Sequence, residues 1–148
     1  MPRPAPNKRV LPGISALLAE LEPRPHNFLG LLTGNYCDAA EVKLSHFDLW
    51  RYFRCGAFGE DHGDRDALVP VALDRARSAG LPPHVDEARV VVIGDTPRDV
   101  RCAHAHGARC VAVATGEYRV EALHAAGADV VFEDLGDTRA VLSTLARL

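Results

Sequence analysis

Two apolar runs of the chain end in side chains that could bind a phosphate group and a metal ion. The run 28–32 is followed by Thr-Gly-Asn, and the run 90–93 is followed by Gly-Asp. Hydroxyl, amide and backbone N–H groups suit phosphate oxygens. A carboxylate suits Mg²⁺, which takes one or two carboxylates and retains water. The predicted phosphate-binding residues are Thr33, Gly34 and Asn35, and the predicted metal ligand is Asp95. A plain strand–helix turn, with Thr33 or Asn35 as helix N-cap, is the alternative for the first stretch.

The segment Val90–Asp99, VVVIGDTPRD, places that carboxylate between a strand and a helix. Its continuous Val/Ile run predicts a strand that is buried on both faces, as in a parallel sheet. Thr96 suits the N-cap, Pro97 the first helical position and Asp99 the third, which is a variant of the capping box. Asp99 therefore has two interpretations, a helix cap or a second acidic residue of the metal site.

A polar loop, Gly59–Asp66, carries a third candidate, Arg65. A guanidinium at that place could neutralise the charge of a bound phosphate. The alternative is a solvated charge among acidic neighbours, and the residues alone leave both interpretations open.

These residues need a scaffold that brings strand ends together, and the rest of the chain predicts one. Apolar residues at helical spacing alternate with short apolar runs, of which the clearest strands are 28–32, 90–93, 109–114 and 129–132. This alternation predicts an α/β fold, a Rossmann-like parallel sheet with helices on both faces. Right-handed crossovers would gather the loops after the strands at one edge, with Thr33, Asp95, Thr115 and Asp134.

Composition limits the classes of function. The chain has 148 residues, 47% hydrophobic and 25% charged, with a net charge of −3. It has no basic patch, which argues against nucleic acid as partner, and no apolar run approaches the ~20 residues of a membrane span. The four cysteines form no CxxC pair, and the first residues carry charge without an apolar core, so we expect a cytoplasmic protein with free thiols.

The order and spacing of these pieces resemble the haloacid dehalogenase-like hydrolase superfamily, nearest to its phosphoglycolate-phosphatase-like members. LLTGN resembles that family's second motif, a strand that ends in Thr or Ser. VVVIGDTPRDV resembles the fourth, GDxxxD after a strand, and FGEDHGDRDALVPVALDRA occupies the place of the third. The resemblance extends over roughly residues 10–147.

This resemblance implies phosphate monoester hydrolysis through an aspartyl-phosphate, assisted by Mg²⁺. Thr33 would hydrogen-bond the transferring phosphoryl group, and Arg65 would stabilise its charge. Asp95 would help to hold the metal and Asp99 would brace the cluster. The implied partner is a small phosphorylated metabolite.

The sequence departs from the family at the first motif, DxDxT, whose first Asp is the nucleophile. No DxDxT occurs in these 148 residues, and the family's helical cap is absent as well. In related enzymes the strand of that motif lies between those corresponding to 28–32 and 90–93. Residues 1–9 are rich in Pro and charge, so we expect an extended or disordered lead-in there, followed by a partial core domain over 10–148.

Three hypotheses follow from this departure. The chain could be the inactive C-terminal part of such a phosphatase, from a truncated gene, a fragment or a misplaced start. It could be a non-catalytic relative that binds a phosphorylated ligand or a partner. It could also be one half of a two-part enzyme whose missing strand comes from another chain. In each case, unpaired sheet edges would favour self-association.

Overall fold

The computed structural model of the chain describes residues 13–24 and 27–148, so the predicted lead-in over residues 1–9 lies outside the described residues. Within them, helices and strands alternate as predicted. The helices are α1 (Ile14–Leu21), α2 (Cys37–His46), α3 (Leu68–Ser78), α4 (Pro97–Ala105), α5 (Val120–Ala125) and α6 (Thr138–Arg147). The strands are β1 (Gly30–Leu32), β2 (Cys55–Ala57), β3 (Val91–Gly94), β4 (Arg109–Val113) and β5 (Val130–Phe132). Short 3₁₀ turns cover Trp50–Tyr52, Arg65–Ala67 and Glu87–Arg89.

The parallel sheet is divided into two parts. β1 pairs with β2, and β3, β4 and β5 form a separate sheet in that order, with every pair parallel. Leu32 of β1 nevertheless packs against the cluster that contains Val92 of β3. The division therefore falls between β1 and β3, where the resemblance places the missing strand. Among the described strands, each of these two has a hydrogen-bonded neighbour on one side only.

The strand before Asp95 is less buried than the sequence predicts. In β3, Val92 is buried, but Val91 is half-buried and Ile93 is 40% exposed. In β4, by contrast, every residue from Cys110 to Val113 is buried. The prediction of a strand buried on both faces is thus wrong for β3. The physical reason is that β4 lies between two strands, whereas β3 borders the division of the sheet.

Helices cover both faces of the three-stranded part. Val92 and Cys110 are register partners on one face, where they pack with residues of α4. Side chains alternate between the faces of a strand, so Val113 points to the other face. There it packs with Leu17 of α1 and Val141 of α6. The predicted arrangement, a Rossmann-like sheet with helices on both faces, is confirmed in this part.

The helices found in residues 13–24 and 27–148 include none with both the length and the apolar character that a bilayer span requires.

Candidate phosphate and metal site

The start of α4 has the predicted capping geometry. The Asp99 backbone N–H donates to Thr96 Oγ1 over 3.3 Å, and the Thr96 N–H donates to Asp99 Oδ2 over 3.0 Å, which together form a capping box with Pro97 inside the first turn. Asp99 Oδ2 also accepts from the Thr96 hydroxyl at 3.0 Å and from the Asp95 N–H at 3.1 Å. Asp99 is only 7% exposed. One buried oxygen therefore fixes the backbone on both sides of the turn.

Gly94 provides the space that this turn needs. A Cβ on Gly94 would lie 2.3 Å from Asp99 Cγ and 2.4 Å from Asp99 Oδ2. Only a residue without a side chain can stand so close to the buried carboxylate. The Asp99 side chain itself occupies the room that the glycine leaves.

Asp95 lines a cavity of about 230 Å³ at the carboxyl edge of the three-stranded sheet. The cavity is lined by Ile14, Ile93, Gly94, Asp95, Val113, Thr115 and Leu135. Thr115 and Leu135 come from the loops after β4 and β5, so these two loops gather with Asp95 as predicted, but neither Thr33 nor Asp134 lines the cavity. Asp134 is exposed, and its Oδ1 accepts from the Gly136 N–H of its own loop at 2.7 Å.

The loop after β4 also packs closely on the Asp95 carboxylate. A Cβ on Gly116 would lie 2.6 Å from Asp95 Oδ2. Gly116 was not among the predicted site residues. Its sequence signal is that Thr115-Gly116 follows a strand in the same way as Thr33-Gly34.

We call the segment from Gly94 to Asp99 the corner. Its oxygen ligands suit Mg²⁺ but form only part of a coordination shell. Mg²⁺ is bound through one or two carboxylates, with waters and substrate phosphate completing its shell. Asp95 supplies a half-buried carboxylate beside the cavity, and the Thr115 residue lines the same cavity. Across the described ranges, no three His, Cys, Asp or Glu side chains gather as a ready metal site. Because Asp99 Oδ2 already accepts from three donors, the geometry favours a bracing role for Asp99. Metal binding by the two residues stays a prediction.

The predicted phosphate turn, Thr33–Asn35, belongs to the other part of the sheet. The Thr33 N–H donates to Ala57 O at 3.1 Å, and the Asn35 N–H donates to Thr33 Oγ1 at 3.0 Å. Gly34 and Asn35 are exposed, and a Cβ on Gly34 would meet nothing within 4 Å. The N-cap of α2 is Tyr36, with no side-chain cap. The alternative that Thr33 or Asn35 caps this helix is therefore wrong.

Residues from the loop after β2 hold this turn through contacts that were not predicted from the sequence. The Gly59 N–H donates to Asn35 O at 2.8 Å, and Glu60 Oε1 accepts from the Cys37 N–H at 2.7 Å. In turn, Asp61 pairs with Arg75 of α3. None of these contacts follows a fixed spacing, because each joins segments far apart along the chain.

Arg65 begins the 3₁₀ turn that leads into α3. Its neighbour Asp66 attaches this turn to α4, because His106 Nε2 lies 2.6 Å from Asp66 O and Arg101 Nε lies 3.5 Å from Asp66 Oδ2. The backbone at Arg65 is thus tied to the helix that begins with the Asp99 cap. The role of the Arg65 side chain stays a prediction.

Three of the four cysteines have a raised thiol pKa, which does not suit a nucleophile. Burial, with the charges of Asp99 and Asp129 nearby, raises the pKa of the Cys110 thiol to about 12. Desolvation also raises the pKa of Cys37 and of Cys55. A thiol needs to ionise before it attacks phosphorus or carbon, and a raised pKa opposes that step at neutral pH.

A family model described as HAD-hydrolase-like matches residues 66–138, which run from the turn before α3 to the start of α6. The resemblance to the haloacid dehalogenase-like hydrolases is confirmed. The matched segment contains Asp95 and Asp99, whereas Thr33 and Arg65 precede it.

Solved structures show the same fold over most of the chain. A protein from Thermotoga maritima described as a β-phosphoglucomutase is 24% identical, with a TM-score of 0.75 over 90% of this chain and 59% of its own. A structure described as a phosphatase, from Clostridium acetobutylicum, is 22% identical, with a TM-score of 0.75 over 88% of this chain and 59% of its own. A haloacid dehalogenase-like family protein from Streptococcus pneumoniae is 20% identical, with a TM-score of 0.74 over 92% of this chain and 60% of its own.

The chain thus spans about 59% of the length of the first of these structures. No curated protein sequence matches it. At these identities the likeness establishes the fold.

Proposed function

We propose that this chain carries the phosphate-binding turn and the magnesium corner of a HAD-like phosphatase that acts on small phosphate monoesters. The observation that carries this proposal is that Asp95 lines a cavity while its backbone N–H is held by the buried Asp99 carboxylate. The family model over this segment supports it. The substrate would be a small phosphorylated metabolite in a reducing cytoplasm, where the four cysteines remain thiols.

Phosphate would be bound at Thr33–Asn35. The Thr33 oxygen accepts from the Asn35 N–H, which uses a lone pair and leaves the hydroxyl hydrogen to donate to a phosphoryl oxygen. The open space beside Gly34 lets an anion approach the backbone. Arg65 would add a positive charge, a role that comes from the resemblance alone.

Mg²⁺ would be held by Asp95, with Asp99 fixing the backbone N–H groups of Asp95 and Thr96. When bound, the ion would offset the negative charge of the phosphoryl group. Gly116 keeps the Asp95 carboxylate free of steric conflict, since any side chain at that position would displace it.

We further propose that these 148 residues bind phosphate but do not turn over phosphate esters by themselves. Aspartyl-phosphate chemistry needs a carboxylate nucleophile next to the phosphate and the metal. The opening between β1 and β3 suits a parallel strand that would carry it, because each of these strands has a described hydrogen-bonded partner on one side only. The same unpaired edges would favour self-association of the isolated chain.

The binding proposal can be tested by titrating the ¹⁵N-labelled chain with inorganic phosphate, with and without Mg²⁺, in NMR spectra. The expected result is a Mg²⁺-dependent shift of the Gly34, Asn35 and Gly116 amide signals that Asp95→Asn abolishes. Asp134→Asn is the matched control, because it removes a carboxylate of the same edge that faces its own loop. Absence of any shift in the unmodified chain would overturn the proposal.

Turnover is tested with p-nitrophenyl phosphate and Mg²⁺. The chain alone is expected to be inactive, and a synthetic peptide with an apolar strand followed by Asp-x-Asp-x-Thr is expected to give activity that Asp95→Asn removes. Turnover by the chain alone that Asp95→Asn abolishes would contradict the proposed lack of a nucleophile. Phosphate binding without turnover, even with the peptide, would favour the alternative of a non-catalytic phosphate-binding relative.

Self-association is tested by analytical ultracentrifugation over a range of protein concentrations. We expect a concentration-dependent dimer or larger species that the same peptide dissociates. A monomer at every concentration would contradict this part of the proposal.

A further inference from the structure

We propose that Arg75 of α3 is a positioning residue for the phosphate turn, acting through the loop Phe58–Asp61 without touching the turn itself. The identity of the ligand, phosphate, rests on the proposed function. The mechanical link between Arg75 and the turn rests on the contacts described below and stands apart from it.

The first contact in this link is a two-pronged ion pair. Arg75 Nη1 lies 2.6 Å from Asp61 Oδ2, and Arg75 Nη2 lies 2.7 Å from Asp61 Oδ1. Arg75 Nη1 also donates to Gly56 O at 2.8 Å, at the middle of β2. Bidentate pairs fix orientation as well as distance. The guanidinium thus joins the strand β2 to the loop that follows it.

The second contact fixes the loop at its start. The Phe58 N–H donates to Asp61 Oδ2 at 2.7 Å, so the carboxylate closes a tight turn over Phe58–Asp61. The hydrogen bond with Arg75, supported by the Phe58 N–H and opposed by desolvation, lowers the pKa of the Asp61 carboxyl. The side chain of Asp61 is 15% exposed, so this carboxylate is held largely away from water.

The third set of contacts presses this loop on the phosphate turn. The Gly59 N–H donates to Asn35 O at 2.8 Å, and a Cβ on Gly59 would lie 2.2 Å from Gly34 O. Glu60 Oε1 accepts from the Cys37 N–H just beyond the turn. The loop therefore contacts the turn at its centre and at its end.

We call these contacts the clamp: Gly59 and Glu60 touch the turn, and the Asp61–Arg75 pair holds them. The turn has little internal support that could replace the clamp. Within it, the Asn35 N–H to Thr33 Oγ1 bond is a single contact at an exposed site. An anion-binding turn is effective when its donors are already aimed before the ligand arrives. Without the bidentate ion pair to Arg75, Asp61 would keep only its hydrogen bond from the Phe58 N–H. The loop Phe58–Asp61 could then move. As a consequence, the donors at Gly34 and Asn35 would lose their fixed direction.

The test compares Arg75→Gln with Arg77→Gln in the full chain. Arg77 lies on the same helix and also makes an ion pair and a carbonyl contact, to Asp74 and Val85 O, away from the loop. In the ligand-free protein, Arg75→Gln is expected to increase hydrogen exchange of the Gly59 N–H by about tenfold or more, since its partner Asn35 O is no longer held. In the phosphate titration, Arg75→Gln is expected to weaken phosphate affinity by about tenfold. Arg77→Gln is expected to change neither the Gly59 exchange nor the phosphate affinity.

The conservative variant distinguishes positioning from general stability. Arg75→Lys keeps the charge but not the fork, so it should restore the melting temperature more fully than the phosphate affinity. If Arg75→Gln fails to fold, Asp61→Asn is used instead, because its amide oxygen can still accept from Phe58 while the ion pair is lost.

The positioning role would be overturned if Gly59 exchange and the Gly34 and Asn35 amide signals were unchanged in Arg75→Gln and in Asp61→Asn. If the unmodified chain does not bind phosphate, the proposed function fails, and the exchange measurement in the ligand-free protein still decides the role of Arg75.

Discussion

The two halves of the candidate site are held in opposite ways. The corner from Gly94 to Asp99 is fixed from within, since one buried carboxylate accepts from the backbone and side chain of residues at most four positions away. The turn Thr33–Asn35 is exposed at Gly34 and Asn35 and is fixed from outside, by residues 57–60 and, through Asp61, by Arg75. The first part of the candidate site therefore depends on residues close to it in sequence, and the second depends on residues more than twenty positions away.

The largest effect is expected when the buried Asp99 carboxylate is removed. Asp99→Ala would leave the N–H groups of Asp95 and Thr96 without their buried acceptor and should lower the free energy of unfolding by about 2–4 kcal/mol in urea titrations. Asp99→Asn keeps an oxygen at the same place and should lose less. Equal losses for the two variants would mean that negative charge, rather than an acceptor, is what the corner requires.

The next effect concerns the clamp on the turn. Gly59→Ala would place a methyl group 2.2 Å from the Gly34 carbonyl oxygen, so the two loops have to separate. The expected loss is about 1–3 kcal/mol in the free energy of unfolding, with NMR shifts concentrated at Gly34 and Asn35. Gly63→Ala is the control, because a Cβ there meets nothing within 4 Å. Shifts spread evenly over the chain would argue against a local clamp.

A third effect should appear in metal binding with little change in stability. Gly116→Ala would press on Asp95 Oδ2 at 2.6 Å and turn the carboxylate away, which should weaken Mg²⁺ binding about tenfold in calorimetric titrations. In an Asp95→Asn background the same change should have no further effect on Mg²⁺ affinity, because the group it displaces is gone. A further loss there would show that Gly116 acts on the metal by another route.

The difference between the two halves also explains what the sequence could predict. The capping box, the glycine before Asp95 and the alternation of strands and helices all depend on neighbours within a few residues, and their patterns gave the fold and the corner. The clamp joins Asn35 to Gly59 and Asp61 to Arg75. An arginine in an amphipathic helix has the same pattern whether it meets solvent or a carboxylate, so no spacing could identify Arg75.

The burial of β3 shows a different limit of the sequence. A run of Val and Ile predicts a strand with two covered faces, but the run does not say whether both edges of that strand have neighbours. β4 has neighbours on both sides and is buried, whereas Ile93 of β3 is 40% exposed beside the division of the sheet. Burial depends on what lies next to the strand as well as on its own residues.

The smallest expected effect is the pH dependence of the clamp. The usual pKa of an aspartate carboxyl is 3.8, and in the folded chain the pKa of Asp61 is lower because Arg75 and the Phe58 N–H favour its charged form. A depressed folded pKa means that the pair contributes stability above the unfolded value and that this contribution is lost as the pH falls through the folded pKa. The difference in urea midpoint between the unmodified chain and Arg75→Gln should be constant from about pH 5 to 8 and should shrink below about pH 4.

In an Asp61→Asn background, Arg75→Gln should give a small difference that does not vary with pH. A difference that persists undiminished in acid would mean that Arg75 acts through its bond to Gly56 O, and that the turn is held by β2 rather than by the carboxylate.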